Sequence, residues 1–474
     1  MQTPHEPQEV PAPERPGPGA TPERIDVLVP PPGAPASGLG ARGRAWLRAH
    51  RTEVLLFLVT GVIFSAFSGQ RFLRQSEAPH FVYQAQAWLE GRLDVDPQVL
   101  PNLEDWACVR EVDGTKVRCE GPRRETDTWF VSFPSFPAVV MLPFVALHGY
   151  QFNDTSFTAW MGALAVALFY SLLRLLRCRN ETGREPGDDL LLALTLGFGS
   201  VLFYCAIRGE VWFTAQVMGV ALSCLYLRFA VGARSPWLAG LFFSMATLTR
   251  TPLVFTGLFF LLEVLCPERG ARLDQLKANL RAPREALGRL WRFGAGMAPL
   301  ALLAAAYNTY RFGKPGEFGH SFLYNNRVNR DIDAFGLFDL GYLARNLDAA
   351  LLKLPTLSDA PPLLGYDPHG LSILLTLPVV VLVLFPKVRR RLTLPMVLTV
   401  LATALPGLFY QNTGYMQFGF RFSLDYTPHL LVLVALGGWS FRGLFVRALF
   451  GLGFLVNFWG ALVFRGYTEW VRHW

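Results

Sequence analysis

The sequence is short of charge. Asp, Glu, Lys and Arg make up 17% of its 474 residues, while 51% are hydrophobic and the mean hydropathy is +0.29. That balance excludes an ordinary soluble protein and makes a membrane the expected solvent. The chain also lacks HExxH, CxxC, P-loop and GxSxG patterns, so none of the soluble enzymes that those motifs mark is indicated. No basic run with interleaved aromatics offers a groove for phosphates. Despite a net charge of +8, no nucleic-acid partner is therefore expected. Lysine is scarce: 39 of the 44 basic residues are Arg, a bias that GC-rich coding explains and that points to a bacterial source. There is no basic start followed by an apolar core and a cleavage site, so the first membrane span is expected to serve as the targeting signal.

What is present is a series of apolar stretches of bilayer-crossing length, about 20 residues each. They fall at about 54–70, 157–176, 189–207, 211–231, 236–249, 251–265, 293–310, 370–386, 393–410, 426–440 and 444–464. The expected fold is all-α: a polytopic membrane protein of about 11 transmembrane helices. Eleven of the 34 prolines lie in residues 1–40. Residues 1–45 therefore read as a disordered cytoplasmic tail, and 46–474 as the transmembrane domain.

Orientation follows from Lys and Arg in the short loops, which stay on the cytoplasmic side. With the N-terminus cytoplasmic, the inner segments hold Arg42 to Arg51, Arg174 to Arg184, seven basic residues in 269–292, and Lys387 with Arg389 to Arg391. Residues 71–128 carry eight basic and eleven acidic residues, and 311–368 carry six and seven. The two large loops, 71–156 and 311–369, are thus expected outside, at a bacterial inner membrane. The apolar stretch 129–148 is interrupted by Pro134, Pro137 and Pro143 and reads as a re-entrant or interfacial helix. Apolar residues at 81, 82, 85, 88 and 89 suggest a helix lying on the outer surface.

Cys108 and Cys119 share the first outer loop. A two-residue turn at Asp113 and Gly114 sets 108 opposite 119, within disulfide reach, as it sets Glu111 opposite Lys116. A disulfide is expected there, in an oxidising compartment.

Ionisable residues gather where the spans meet the outer face: Glu77, His80, Asp154, Arg208, Glu210, Arg250, Arg311, Arg421 and Asp425. Such residues usually face a polar cavity, because a charge at mid-bilayer costs about 2.5 to 3.5 kcal/mol. The four arginines sit against the positive-inside tendency and require compensation. Local pairs are one source: Arg208 is two residues from Glu210, and Arg421 is four from Asp425, a spacing that pairs on an α-helix. An anionic ligand is the other, since guanidinium forks match phosphate oxygens. Arg250, in the turn ThrArgThrPro, has no carboxylate nearby in sequence and is the preferred phosphate contact. Gln417 opens a polar and aromatic stretch that runs to Tyr426 at the mouth of a span. It reads equally as an interfacial belt and as a substrate lining. Asn325, Asn326 and Asn329 are candidates for sugar hydroxyls.

A carboxylate after the first span, a following helix with Tyr83, Ala87, Gly91 and Leu93, and the proline-rich element ProSerPheProAlaValValMetLeuPro together resemble the GT-C superfamily of membrane glycosyltransferases. That superfamily includes protein O-mannosyltransferases and lipid A aminoarabinose transferases. The resemblance implies transfer of a sugar, with inversion, from a polyprenyl-phosphate carrier to a glycan, lipid or protein acceptor on the outer face. It also implies a carboxylate of the first loop as base. Where the family carries an AspGlu pair, this chain has Ser76 and Glu77, so either Glu77 serves alone or Asp154 replaces the absent acid. A noncatalytic relative, or a transporter of a lipid-linked or anionic solute, stays open on the same residues. No cofactor or metal is expected, although His80 with Glu77 could form a ligand pair.

Overall fold

The computed structural model describes residues 39–100, 105–266, 272–281, 283–357 and 364–471. Most of the expected tail lies outside them. Residues 39–45 of that expected tail instead belong to helix α1 (Leu39–Ala49), in a stretch rich in Ala and Arg, both good helix formers.

Among the described residues the protein is mostly helical. In chain order the first half holds α2 (Arg51–Ser68), α3 (His80–Leu89), strands β1 (Trp106–Val112), β2 (Thr115–Arg118) and β3 (Thr128–Val131), then α4 (Phe136–His148), α5 (Asp154–Cys178), α6 (Pro186–Phe198), α7 (Leu202–Ala206) and α8 (Val211–Ala230). The second half holds α9 (Pro236–Thr247), α10 (Gly257–Leu265), α11 (Arg272–Arg281), α12 (Arg284–Phe312), α13 (Asn326–Phe335), α14 (Leu343–Leu347), strands β4 (Thr356–Leu357) and β5 (Leu364–Gly365), α15 (Ile373–Thr376), α16 (Val381–Leu384), α17 (Thr393–Phe409), α18 (Thr427–Leu436) and α19 (Leu444–Val471).

Among the described residues, five helical stretches are long and apolar enough to cross a membrane: Arg51–Leu73, Asp154–Cys178, Val211–Ala233, Arg284–Phe312 and Leu444–Phe464. The other expected spans fall on shorter or broken helices. The stretch 189–207 divides into α6 and α7 around Gly199 and Ser200, and 370–386 breaks at Leu377 before Pro378. Helix α4, at 1.5 Å per residue about 20 Å long, is shorter than the roughly 30 Å hydrocarbon layer.

Small residues let the helices approach closely. A side chain at Gly240 of α9 would strike the carbonyl of Phe293 on α12, and one at Gly296 of α12 would strike the carbonyl of Trp237 on α9. On α5 and α8, Thr158 and Thr214 share a buried hydroxyl contact of 2.6 Å. Arg184 donates to the carbonyls of Val434, Ala435 and Trp439 and lies over the Phe441 ring, satisfying acceptors that the end of α18 leaves open.

The first large loop departs most from an all-α expectation. β1 pairs with β2 and β3 in a three-stranded antiparallel sheet of order β2-β1-β3. Val112 faces Thr115 and Glu111 faces Lys116 across a turn in which Asp113 (φ 49°) and Gly114 (φ 73°) are both left-handed, the geometry of a type I′ hairpin. Cys108 and Cys119 are joined, with Cα atoms 5.4 Å apart. Arg110 holds Asp127 through two hydrogen bonds of 2.7 and 2.8 Å and keeps that carboxyl below the usual range. β3 occupies the start of the 129–148 stretch, where a helix was expected. Helix α3 is no surface helix: seven of its ten residues are buried, packed with α4 and this sheet.

Candidate functional site

A large cavity, about 1470 Å³, lies where the segment after α2, the starts of α5 and α8 and the second large loop meet. Its wall includes Glu77, Arg208, Glu210, Arg250, Arg421 and Asp425 from the expected set, with Asp105, Trp212, His320, Asn325, Arg345 and Tyr410 besides.

Glu77 is carried by a segment fastened at several points. Asn153 Nδ2 donates to the carbonyl of Phe72 (2.8 Å), and Gln75 Nε2 donates to those of Tyr150 (2.6 Å) and Phe152 (2.9 Å). Asp154 accepts from Ser76 N (2.8 Å) and Ser76 Oγ (2.6 Å), while Val211 N donates to Ala78 O (3.0 Å). Asp154 is itself buried and does not line the cavity; its carboxylate holds Ser76.

The arginines are arranged differently from their sequence neighbours. Arg208 pairs with Glu210 through Nε (3.0 Å) and a second, shorter bond from Nη2. Burial raises Glu210, but the Arg208 guanidinium outweighs it and holds the carboxyl below its usual range. The expected Arg421–Asp425 pair does not form. Residues Arg421–Asp425 make a 3₁₀ turn. Three residues per turn leaves positions i and i+4 about 120° apart around the axis. Asp425 instead receives Arg250 in a bidentate pair, Nε at 3.0 Å and Nη2 at 2.6 Å. Arg250, which has no carboxylate nearby in sequence, receives one from 175 residues away.

Among the described residues, Arg421 is a buried cation with no carboxylate in hydrogen-bonding range. Its residue is 6% exposed, its guanidinium lies 5.1 Å from the Phe213 ring and 5.8 Å from that of Phe422, and no carboxylate among the described residues pairs with it. Burial lowers its affinity for the proton, with Arg250 adding to the effect. Gln417 shapes the turn that delivers it: its Nε2 donates to the carbonyls of His369 (2.7 Å) and Thr413 (2.8 Å), and its Oε1 accepts from Arg421 N (2.9 Å). Gln417 is fully buried and lies behind the wall.

Two further expected residues stand away from the cavity. His80 is buried and its ring stacks on Trp106 with centroids 4.0 Å apart, which suits a core residue better than a metal ligand beside Glu77. Arg311 donates to Val131 O (2.8 Å) and Asn308 Oδ1 (2.6 Å) and lies near the Tyr307 and Phe312 rings, tying the end of α12 to β3. Asn325 lines the cavity and caps α13, accepting from Val328 N, while Asn329 donates to Leu323 O. Nothing is described of the Asn326 side chain.

Sequence reasoning missed His320, Trp212 and Arg345. His320 sits between Phe133 (5.5 Å) and Tyr410 (6.3 Å). Burial pushes its imidazole down to about 4, with Glu317 opposing and Arg250 adding to the fall, so the ring is neutral at pH 7. Trp212 follows the residue whose backbone holds Ala78. No spacing or motif marks either residue; their positions depend on long-range folding of the loops. As for metals, the described residues bring one His/Cys/Asp/Glu group close enough to surround an ion: Cys108, Cys119 and Asp127. Its sulfurs are joined and its carboxylate is held by Arg110, so it does not fit one.

No family model matches the chain, and no curated protein sequence matches it. Among solved structures, the Archaeoglobus fulgidus oligosaccharyltransferase in its apo form is similar at 10% identity with a TM-score of 0.43, over 87% of this chain and 55% of that one. The same protein tethered through a disulfide bond to an acceptor peptide containing the NVT sequon is similar at 10% identity with a TM-score of 0.44, over 89% and 55%. This chain spans about half the length of those structures.

Proposed function

We propose that the protein is a GT-C-like membrane glycosyltransferase, taking a sugar from a polyprenyl-phosphate donor and passing it to a glycan, lipid or protein acceptor on the extracytoplasmic face of a bacterial inner membrane. The observation that carries the reading is Arg421, a buried guanidinium on a cavity wall where the neighbouring Arg208 and Arg250 already have carboxylates. An uncompensated buried charge is expensive, and a phosphate monoanion supplies what is missing.

Glu77, on the same cavity, is the proposed base. The acceptor hydroxyl gives its proton to Glu77 while its oxygen bonds to the anomeric carbon from the face opposite the phosphate. The bond from that carbon to the phosphate oxygen breaks, and its electron pair leaves on the carrier phosphate, where Arg421 stabilises the developing charge. Attack opposite the leaving group inverts the anomeric configuration. Asp154 serves as a positioning residue, fixing Ser76 and through it the backbone of Glu77. No metal enters this sequence of steps.

The test incubates purified protein with a panel of polyprenyl-phosphate sugars and measures release of free carrier together with glycosylated acceptor. Glu77→Gln should lose about 10²-fold or more of turnover if Glu77 is the base. Equal rates in the variant and the parent would remove Glu77 from the site. Movement of labelled lipid between leaflets with the sugar bond intact would replace transfer with transport.

A further inference from the structure

The segment that carries Leu337 and Phe338 to the cavity is unusual for a loop facing water. Phe335, Phe338, Leu340, Leu352, Leu354 and Leu357 all turn outward, Leu340 being 74% and Leu357 87% exposed. Soluble surfaces seldom gather so many large apolar side chains in one short stretch. The charges there are largely engaged: Lys353 bridges Asp348 (3.3 Å) and Asp367 (2.8 Å).

Both attachments of the segment lie beside apolar helical segments. Phe338 bridges Tyr410, and Asp339 N donates to Phe409 O (3.0 Å) at the C-terminal end of α17. At the other end, Ser372, just before α15, donates its N to Lys353 O (2.9 Å) and its Oγ to Leu351 O (2.8 Å). Along α17, Leu394, Leu398, Leu401 and Leu405 are exposed at steps of four, three and four, a single face that runs toward the Phe409 anchor. At the anchor the one charged residue, Asp339, turns its carboxylate back onto Gly341 N (2.7 Å), between the exposed Phe338 and Leu340.

We propose that residues 335–357 form a membrane-seated platform, immersed in the boundary between headgroups and acyl chains of the leaflet on the cavity side. The occupant of this apolar face is lipid. Segments of this kind bury their apolar side chains about 5–10 Å below the headgroups. The wall formed by Leu337 and Phe338 then stands at headgroup level, where an amphiphile's polar end resides. This inference rests on the membrane character of the chain and not on glycosyl transfer.

Nitroxide labels test it in the full chain reconstituted into lipid nanodiscs. Leu340→Cys, Leu352→Cys and Leu357→Cys are made separately in a Cys178→Ser background, since Cys178 is the exposed free thiol. Leu401→Cys on α17 gives a lipid-exposed reference and Glu125→Cys, on an exposed stretch of the first loop, a water-exposed one. Collision rates with oxygen and with a water-soluble nickel chelate are then compared. The expected result is a severalfold loss of nickel collisions at the three platform positions relative to Glu125, with oxygen collisions near those at Leu401. Nickel collisions equal to those at Glu125 would overturn the proposal. The three positions report independently, so failure of one variant to purify leaves the other two to decide.

Discussion

At the scale of single residues, the exchange of partners among Arg250, Arg421 and Asp425 makes opposite predictions for two arginines that look alike in sequence. Arg250→Gln leaves Asp425 buried without its partner. The expected loss is about 3 to 5 kcal/mol of stability. Arg250→Gln combined with Asp425→Asn should recover most of it. Arg421→Gln removes a cation that has no carboxylate, so the ligand-free protein should be unchanged or slightly more stable, while binding of a polyprenyl phosphate weakens. Thermal unfolding in detergent, with and without that lipid, separates the two. Equal destabilisation by both single variants would mean that Arg421 has a partner.

His320 offers a pH signature. Its imidazole is held at about 4 by burial, against an ordinary value near 6.5. Between those values the unfolded chain binds a proton that the folded chain refuses. This contribution to stability is therefore complete above about pH 6.5 and is lost as the pH falls toward 4. His320→Gln should flatten the decline in unfolding temperature over that window. An unchanged slope would place the ring in contact with water.

At the scale of elements, the sequence shows where chain segments begin and end better than which side chains meet. The apolar runs coincide with helices, and the AspGly turn sets the hairpin register, because both follow from local chemistry: burial of apolar groups and the left-handed tolerance of Asp and Gly. The third strand was not legible. Trp129 to Val131 read as the start of an apolar helix, and only pairing with β1, some twenty residues earlier, makes them part of a strand. The Arg421–Asp425 expectation failed for a related reason, since it assumed α geometry where Arg421 to Asp425 turn more tightly. Close packing of α9 on α12 yields a third prediction. Gly240→Val and Gly296→Val each push a side chain into a facing carbonyl, so both should lower the yield of monodisperse protein. Gly294→Val meets open space and should not. A fourth concerns the hairpin: Cys108→Ser should cost about 2 to 4 kcal/mol through the freed loop of the first outer segment, read as earlier proteolysis there.

At the scale of the whole molecule, composition is enough to identify a membrane protein, and the clustering of Glu77, Arg208, Glu210, Arg250, Arg421 and Asp425 on one cavity is legible from their places at the span ends. His320, Trp212 and Arg345 are not, because each reaches the cavity by long-range contacts that no period or motif encodes. Asp154 and Gln417 carry polar groups yet stand behind the wall, and sequence alone does not distinguish a side chain that touches a substrate from one that shapes the chain beside it.

The fastening of residues 72 to 78 to the starts of α5 and α8 leaves the backbone of Glu77 no freedom to shift on its own. On the role proposed for Glu77, variant libraries spread over 75–78 should yield mostly inactive proteins.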